Sequence, residues 1–131
     1  AGPTGLMLAL ELARHGISFR IIDKKPEATK TSNAAAIQTR SLEIFKQLGI
    51  AHEFLRVGQP CNALSFYDKG KEYARVILTK LDSVYPFLLS IPQAATETIL
   101  EHKLNKLAHA VERSRELTDV KVNYSDIEVE I

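Results

Sequence analysis

The chain has no tryptophan, one methionine and a single cysteine, Cys61. A lone cysteine excludes an intrachain disulfide and any cysteine-based metal site, and it suits a reducing compartment, so a cytoplasmic protein is expected. Cys61 follows Pro60 and has no activating neighbour in sequence, so it reads as an inert thiol. Excess charge of one sign is also lacking. The 17 basic and 16 acidic side chains leave a formal +1, so no strong field points to nucleic acid or an anionic membrane, and neither partner is expected. No apolar run approaches the roughly 20 residues needed to span a bilayer. Leu6–Ala13 is apolar but has no basic stretch before it and no cleavage pattern after it, unlike a secretory signal. His15, His52, His102 and His109 have no metal-ligand spacing, so no metal is expected. There is no internal repeat and no low-complexity tract.

What the chain does have is ordinary globular composition, 45% apolar and 25% charged over 131 residues, enough for one domain with a core. Its most informative stretch is Ala1-Gly2-Pro3-Thr4-Gly5-Leu6, which matches the tail of a G-x-G-x-x-G phosphate loop. Gly2 takes the place where backbone approaches a pyrophosphate, and Gly5 the place where a helix packs closely on a strand. The unpaired N–H groups and positive dipole end of the following helix would face the phosphate. Within that helix Leu6, Ala9, Leu10 and Ala13 recur at i, i+3, i+4 and i+7. Because Met7, Leu8 and Leu12 leave the other side scarcely more polar, a nearly wholly buried helix is predicted. Pro3 near its first turn removes an N–H that has no partner anyway.

Gly16 is placed to stop this helix, and Ile17–Asp23 follows as a predicted strand ending in a carboxylate. Asp23 stands 18 residues beyond Gly5, near the roughly 20 expected of the acid that receives a ribose diol. Glycine turn, helix, strand and terminal acid fit half of a dinucleotide site. The competing reading is a plain α/β packing unit in which Asp23 caps a loop. A phosphate loop of this kind follows a central strand, and none precedes Ala1, so the chain is expected to be a piece of a longer protein.

Farther along, residues 24–33 are polar and aperiodic and read as a loop. A second helix is predicted from Thr39 or Arg40 to Leu48, stopped by Gly49, with a short helical turn over Ala51–Arg56. Period-two stretches on either side of Lys69-Gly70 predict a hairpin over residues 63–78. Leu81–Pro92 carries two prolines and reads as extended or irregular. A long helix is predicted from Gln93 to about Arg113, on which Glu97 and Glu101 form part of a solvated charged face. Val120–Tyr124 and Ile127–Ile131 read as two short strands.

Four of these stretches, in this order, resemble the FAD-dependent aromatic-ring hydroxylases, the group A flavoprotein monooxygenases of the phenol and para-hydroxybenzoate hydroxylase type. Ala1–Leu6 is similar to that family's G-A-G-P-x-G-L, and Ile21-Ile22-Asp23-Lys24 to its acid followed by a base. Ala36–Ile50 resembles its arginine-led helix ending in L-G-[LI]. Tyr85–Gln93, continuing to Glu97 and Leu100, resembles its proline-glutamine junction between strand and helix. The implied fold is α/β: one incomplete FAD-binding domain over residues 1–131, Rossmann-like, with a parallel sheet, helices and a β-hairpin, its first strand missing. The hairpin at 63–78 would begin the substrate-domain sheet.

The resemblance implies that Gly2 and Thr4, with Pro3 and Gly5 in the same loop, line the FAD pyrophosphate. Asp23, with Lys24 beside it, would receive the adenosine ribose, and Arg40 and Gln93 would contact the flavin side. Asn33 stands where many members carry arginine, which removes one charge-assisted contact. The implied activity is NAD(P)H-dependent hydroxylation of a small phenol-like aromatic, with FAD as cofactor and NAD(P)H as transient reductant. Because the flavin performs the oxygen chemistry, no catalytic side chain is named. The alternatives are another FAD- or NAD-dependent oxidoreductase of the same nucleotide fold, or a fragment without catalysis of its own. Alone, the chain is expected to bind FAD poorly and catalyse nothing, because the loop at Gly2 lacks its anchoring strand.

Overall fold

A computed structural model describes residues 1–28 and 36–131; Asn33, Ala34 and the end of the predicted 24–33 loop lie outside the described residues. The first helix, α1 (Pro3–Arg14), starts where the sequence places it. Gly2 is its extended N-cap, Pro3 opens its first turn, and the Leu6 N–H donates to the Gly2 carbonyl at 2.9 Å. Next come β1 (Ile22–Asp23), β2 (Ala36–Ile37), α2 (Thr39–Gln47), α3 (Ala51–Val57), β3 (Gln59–Cys61), β4 (Ala63–Asp68) and β5 (Lys71–Ile77). The chain continues through β6 (Leu88–Ser90), α4 (Gln93–Lys106), β7 (Glu112–Arg113), β8 (Asp119–Val122) and β9 (Ile127–Glu130). These elements fall into two units, one formed by Ala1–Lys30 with Glu97–Ile131 and the other by Thr31–Thr96.

In the first unit β1 and β7 pair in parallel, with Ile22 opposite Glu112 and Asp23 opposite Arg113. The α/β character with a parallel pair is therefore present. The strand predicted over Ile17–Asp23 is cut to its last two residues because ladder pairing exists only beside β7. Ile17 instead belongs to the helix ending: its N–H donates to the Leu12 carbonyl at 2.9 Å. Helix α1 buries Leu6, Ala9 and Leu10, whereas Leu8 is exposed and Met7 and Leu12 are half-buried. The expectation of an almost wholly buried helix is thus corrected to burial on one face. Ile21, Ile99, Leu100 and Leu104 supply the other buried apolar residues of this unit. β8 and β9 are the two short strands predicted, and they pair antiparallel.

The second unit holds a three-stranded antiparallel sheet in the order β2-β6-β3 and the separate β4-β5 hairpin. The hairpin turns at Lys69-Gly70 with both φ values positive, 46° and 80°, which is the primed turn that matches strand twist. Phe45 of α2 stacks on Phe54 of α3 at 4.2 Å between ring centres, and Leu42, Ile50 and Leu89 are fully buried. β6 lies inside the stretch predicted as extended or irregular. Its flanking prolines hide a strand that has partners on both sides.

Three helices end in one motif. After α1 the Gly16 and Ile17 N–H groups donate to Ala13 and Leu12, and after α2 the Gly49 and Ile50 N–H groups donate to Lys46 and Phe45. After α4 the Ala108 and His109 N–H groups donate to Asn105 and Leu104 in the same way. The residue in the first of these positions is left-handed each time, with φ of 68° at Gly16, 71° at Gly49 and 61° at Ala108. Glycine takes that conformation freely; alanine does not. This corrects the predicted helix to Arg113, which stops at Lys106 because Ala108 does the work of a glycine that the sequence does not show. Relief of that strain predicts that Ala108→Gly stabilises the chain, by at most about 1 kcal/mol after the added unfolded-state entropy of glycine is counted. Urea denaturation of the two forms measures it, and an equal or lower midpoint for the variant would show that Ala108 is not strained.

Candidate functional site

The turn before α1 and the end of β1 adjoin. The Ala1 amino group lies 2.9 Å from Asp23 Oδ2, so the acid at the strand end stands beside the glycine turn, as the spacing of Gly5 and Asp23 predicts. Gly2, the N-cap of α1, makes no side-chain cap, and the positive end of the helix dipole lies at this turn. Gly2 and Thr4 are exposed there, while Pro3 and Gly5 are half-buried. A Cβ on Gly2 would come no nearer than 4.0 Å, to Glu97 Oε1, and one on Gly5 would meet nothing within 4 Å. Gly5 instead borders a cleft of about 200 Å³ lined by Leu8, Ala9, Leu12 and the Phe19–Ile22 segment.

Asp23 itself is half-buried and held from three directions. Oδ1 accepts the Lys25 backbone N–H at 3.0 Å, and Oδ2 accepts the Ala1 amino group and Arg113 Nη1 at 3.2 Å. Burial alone pushes its pKa up, but the Lys25 N–H, the Ala1 amino group and the Arg113 charge together outweigh burial and hold the carboxyl below its ordinary value. Arg113 is in turn gripped by Glu101 of α4, with Nη2 at 2.9 and 2.7 Å from the two carboxylate oxygens. Lys24, next to Asp23, reaches away from it to Glu116 at 3.4 Å.

Neither Arg113 nor the bridging role of Glu101 is visible in the sequence pattern. The only hint would have been that a basic residue opposite Asp23 in a parallel pair shares its face. Glu97 and Glu101 do not form a solvated face. Glu97 is buried, and Glu101 is half-buried against Arg113. On the opposite face of the β1-β7 pair, Arg20 makes a two-bonded pair with Glu112 at 2.8 and 2.6 Å. That contact raises the Arg20 pKa and lowers the Glu112 pKa.

Arg40 and Gln93 belong to the second unit. Arg40 sits in the first turn of α2, exposed, with Nη1 3.0 Å from Glu43 Oε2. Glu43 Oε1 accepts the Ser83 hydroxyl at 2.7 Å, and the Ser83 and Arg40 hydrogen bonds hold the Glu43 carboxyl below its ordinary pKa. These residues, with Lys46, Gln47 and Asp82, line a polar cleft of about 800 Å³. Gln93 is the first residue of α4 and half-buried.

The family described as FAD binding domain matches residues 1–131. The chain belongs to that family. It is 31% identical over 130 residues to rifampicin monooxygenase of Streptomyces venezuelae, a match that covers 99% of this chain and 27% of that protein. It is 38% identical over 104 residues to pentachlorophenol 4-monooxygenase of Sphingobium chlorophenolicum, covering 79% of this chain and 19% of that protein. The crystal structure of p-nitrophenol 4-monooxygenase PnpA from Pseudomonas putida DLL-E4 superposes with a TM-score of 0.89 over 98% of this chain and 33% of its own length. At 17% identity this last match is a likeness of fold. The chain thus spans about a quarter of the curated relatives it matches.

FAD is the cofactor of the family, and the chemistry of the site suits it. The N–H groups at a helix start favour a pyrophosphate, and a carboxylate kept ionised favours a diol. No helix among the described residues is long and apolar enough to cross a membrane.

The lowered Asp23 pKa gives a pH dependence of known sign. Its contribution to stability is fully present above the unfolded value of about 3.9 and is lost as pH falls through the lower folded value. Urea midpoints measured from pH 6 down to pH 2 should fall less steeply for Asp23→Asn than for the parent chain. Parallel curves would mean that the Asp23 contacts do not hold its proton off.

Proposed function

We propose that this chain is the FAD-binding part of an NAD(P)H-dependent flavoprotein monooxygenase that hydroxylates a small phenol-like aromatic. The observation that carries the proposal is the 38% identity to pentachlorophenol 4-monooxygenase over 104 residues. The family match over residues 1–131 takes in the glycine turn and the acid that adjoin in the fold. In this reading residues 1–131 are a single, incomplete FAD-binding domain. Gly2, Pro3, Thr4 and Gly5 line the pyrophosphate at the α1 N-terminus, and Asp23, followed in the chain by Lys24, receives the adenosine ribose. Arg40 and Gln93 serve the flavin side, the first with a guanidinium suited to phosphate and the second with an amide that donates and accepts.

Bound flavin supplies the oxygen chemistry, and the chain's own part is to bind and orient it. The hairpin at 63–78 leaves Phe66, Tyr67, Tyr73, Val76 and Ile77 exposed, which suits the start of a substrate-facing sheet. A lone half-buried cysteine supports a reducing, cytoplasmic setting.

The test is NAD(P)H oxidation by the full-length protein that carries this chain, assayed against a panel of phenols with product analysis. The proposal expects substrate-stimulated oxidation, a hydroxylated product and bound FAD on extraction. Failure to see stimulation or product across a broad panel would overturn the activity, and extraction of a nicotinamide instead of a flavin would assign the site to a dehydrogenase or reductase.

A further inference from the structure

Arg113 joins two carboxylates that come from different elements. Its register position opposite Asp23 in the parallel β1-β7 pair puts both side chains on one face, and its Nη1 reaches Asp23 Oδ2 at 3.2 Å. Nη2 is fixed from behind by both oxygens of Glu101 of α4, which restrains rotation of the guanidinium. All three side chains keep only a fifth or so of their surface in water, at 20%, 16% and 24% for Arg113, Asp23 and Glu101, so solvent competes weakly for these bonds. A carboxylate offers roughly four acceptor positions. Oδ2 is used twice and Oδ1 once, by the Lys25 N–H, which leaves acceptor capacity on Oδ1.

We propose that Arg113 is a positioning residue for cofactor binding: locked by Glu101, it holds the Asp23 carboxylate in the one orientation that receives the adenosine ribose hydroxyls. This rests on the reading of Asp23 as the ribose acid. The planar, forked guanidinium is needed because it must face two carboxylates at once, which a lysine ammonium on a flexible stem does not do with fixed geometry. Arg20 provides the contrast. Two residues before β1 it makes a closer pair, at 2.6 Å with Glu112 of β7, but on the other face and with 61% of its side chain exposed.

The experiment titrates the apo form of the full-length protein with FAD and with the FAD analogue whose adenosine ribose lacks both hydroxyls, following flavin fluorescence. Arg113→Lys is expected to weaken FAD binding about tenfold, the factor for losing one charge-assisted bond, and to leave the dideoxy analogue within about twofold of the parent protein. Glu101→Gln, which keeps the side-chain volume, should act in the same direction with a smaller factor, and it carries the test if Arg113→Lys does not fold. Arg20→Met should leave both ligands unchanged. The proposal is overturned if Arg113→Lys and Glu101→Gln bind FAD like the parent protein, or if they lose the same factor with the dideoxy analogue, which is what a purely structural role predicts. Asp23→Asn separates the two levels: parental FAD affinity in that variant removes the ribose reading itself, whereas a loss there without a loss in Arg113→Lys removes only the role of Arg113.

Discussion

The parallel contact between β1 and β7 is the constraint on which the first unit depends. It is only two residues long on each side, too little for a backbone ladder to hold by itself. Side chains make up the difference. Arg20, just before β1, pairs with Glu112 on one face and Asp23 with Arg113 on the other, so both residues of β7 are tied across the pair by side chains. Glu101 then extends the tie to α4, and the Ala1 nitrogen, 2.9 Å from Asp23 Oδ2, brings the glycine turn beside it. The Asp23 carboxylate is thereby surrounded by donors that favour its ionised form and fix its direction.

Such a network behaves as a unit. The favourable energy of a half-buried ion pair is largely offset by desolvation, but removal of one partner leaves the others without compensation. Glu101 and Asp23 share one guanidinium, so substitutions at these positions are not expected to add. The Arg40–Glu43–Ser83 chain in the second unit has similar connectivity but a different character, because its cation is 73% exposed and water screens it.

Local signals in the sequence carried much of this fold. The Gly-Pro-Thr-Gly turn, the stops at Gly16 and Gly49, the Lys69-Gly70 turn and the acid at Asp23 are each written in neighbouring residues, and each stands where it was expected. What escaped was written at long range or in the wrong residue type. β7 has no periodicity, since a two-residue strand is defined only by its partner. The end of α4 was hidden because Ala108 fills a position normally marked by glycine. The Asp23–Arg113–Glu101 arrangement joins residues up to 90 positions apart, beyond any window in which a pattern could be seen. Glu97 and Glu101 looked like surface charge because helical spacing says which residues share a face, but not what that face meets.

The same 90-residue separation orders events during synthesis. The second unit is continuous in the chain, whereas the first is split into Ala1–Lys30 and Glu97–Ile131. Closing a loop of that length costs about 4 kcal/mol of chain entropy before β1 gains its neighbour. A ribosome adds the intervening residues in roughly 5–20 s, long enough for the continuous unit to fold while α1 and β1 wait without β7. During that interval Leu6, Leu10 and Ile21 are apolar residues whose full complement of neighbours has not yet been made. The glycine turn and its acid thus leave the ribosome well ahead of β7 but acquire their final form only after it.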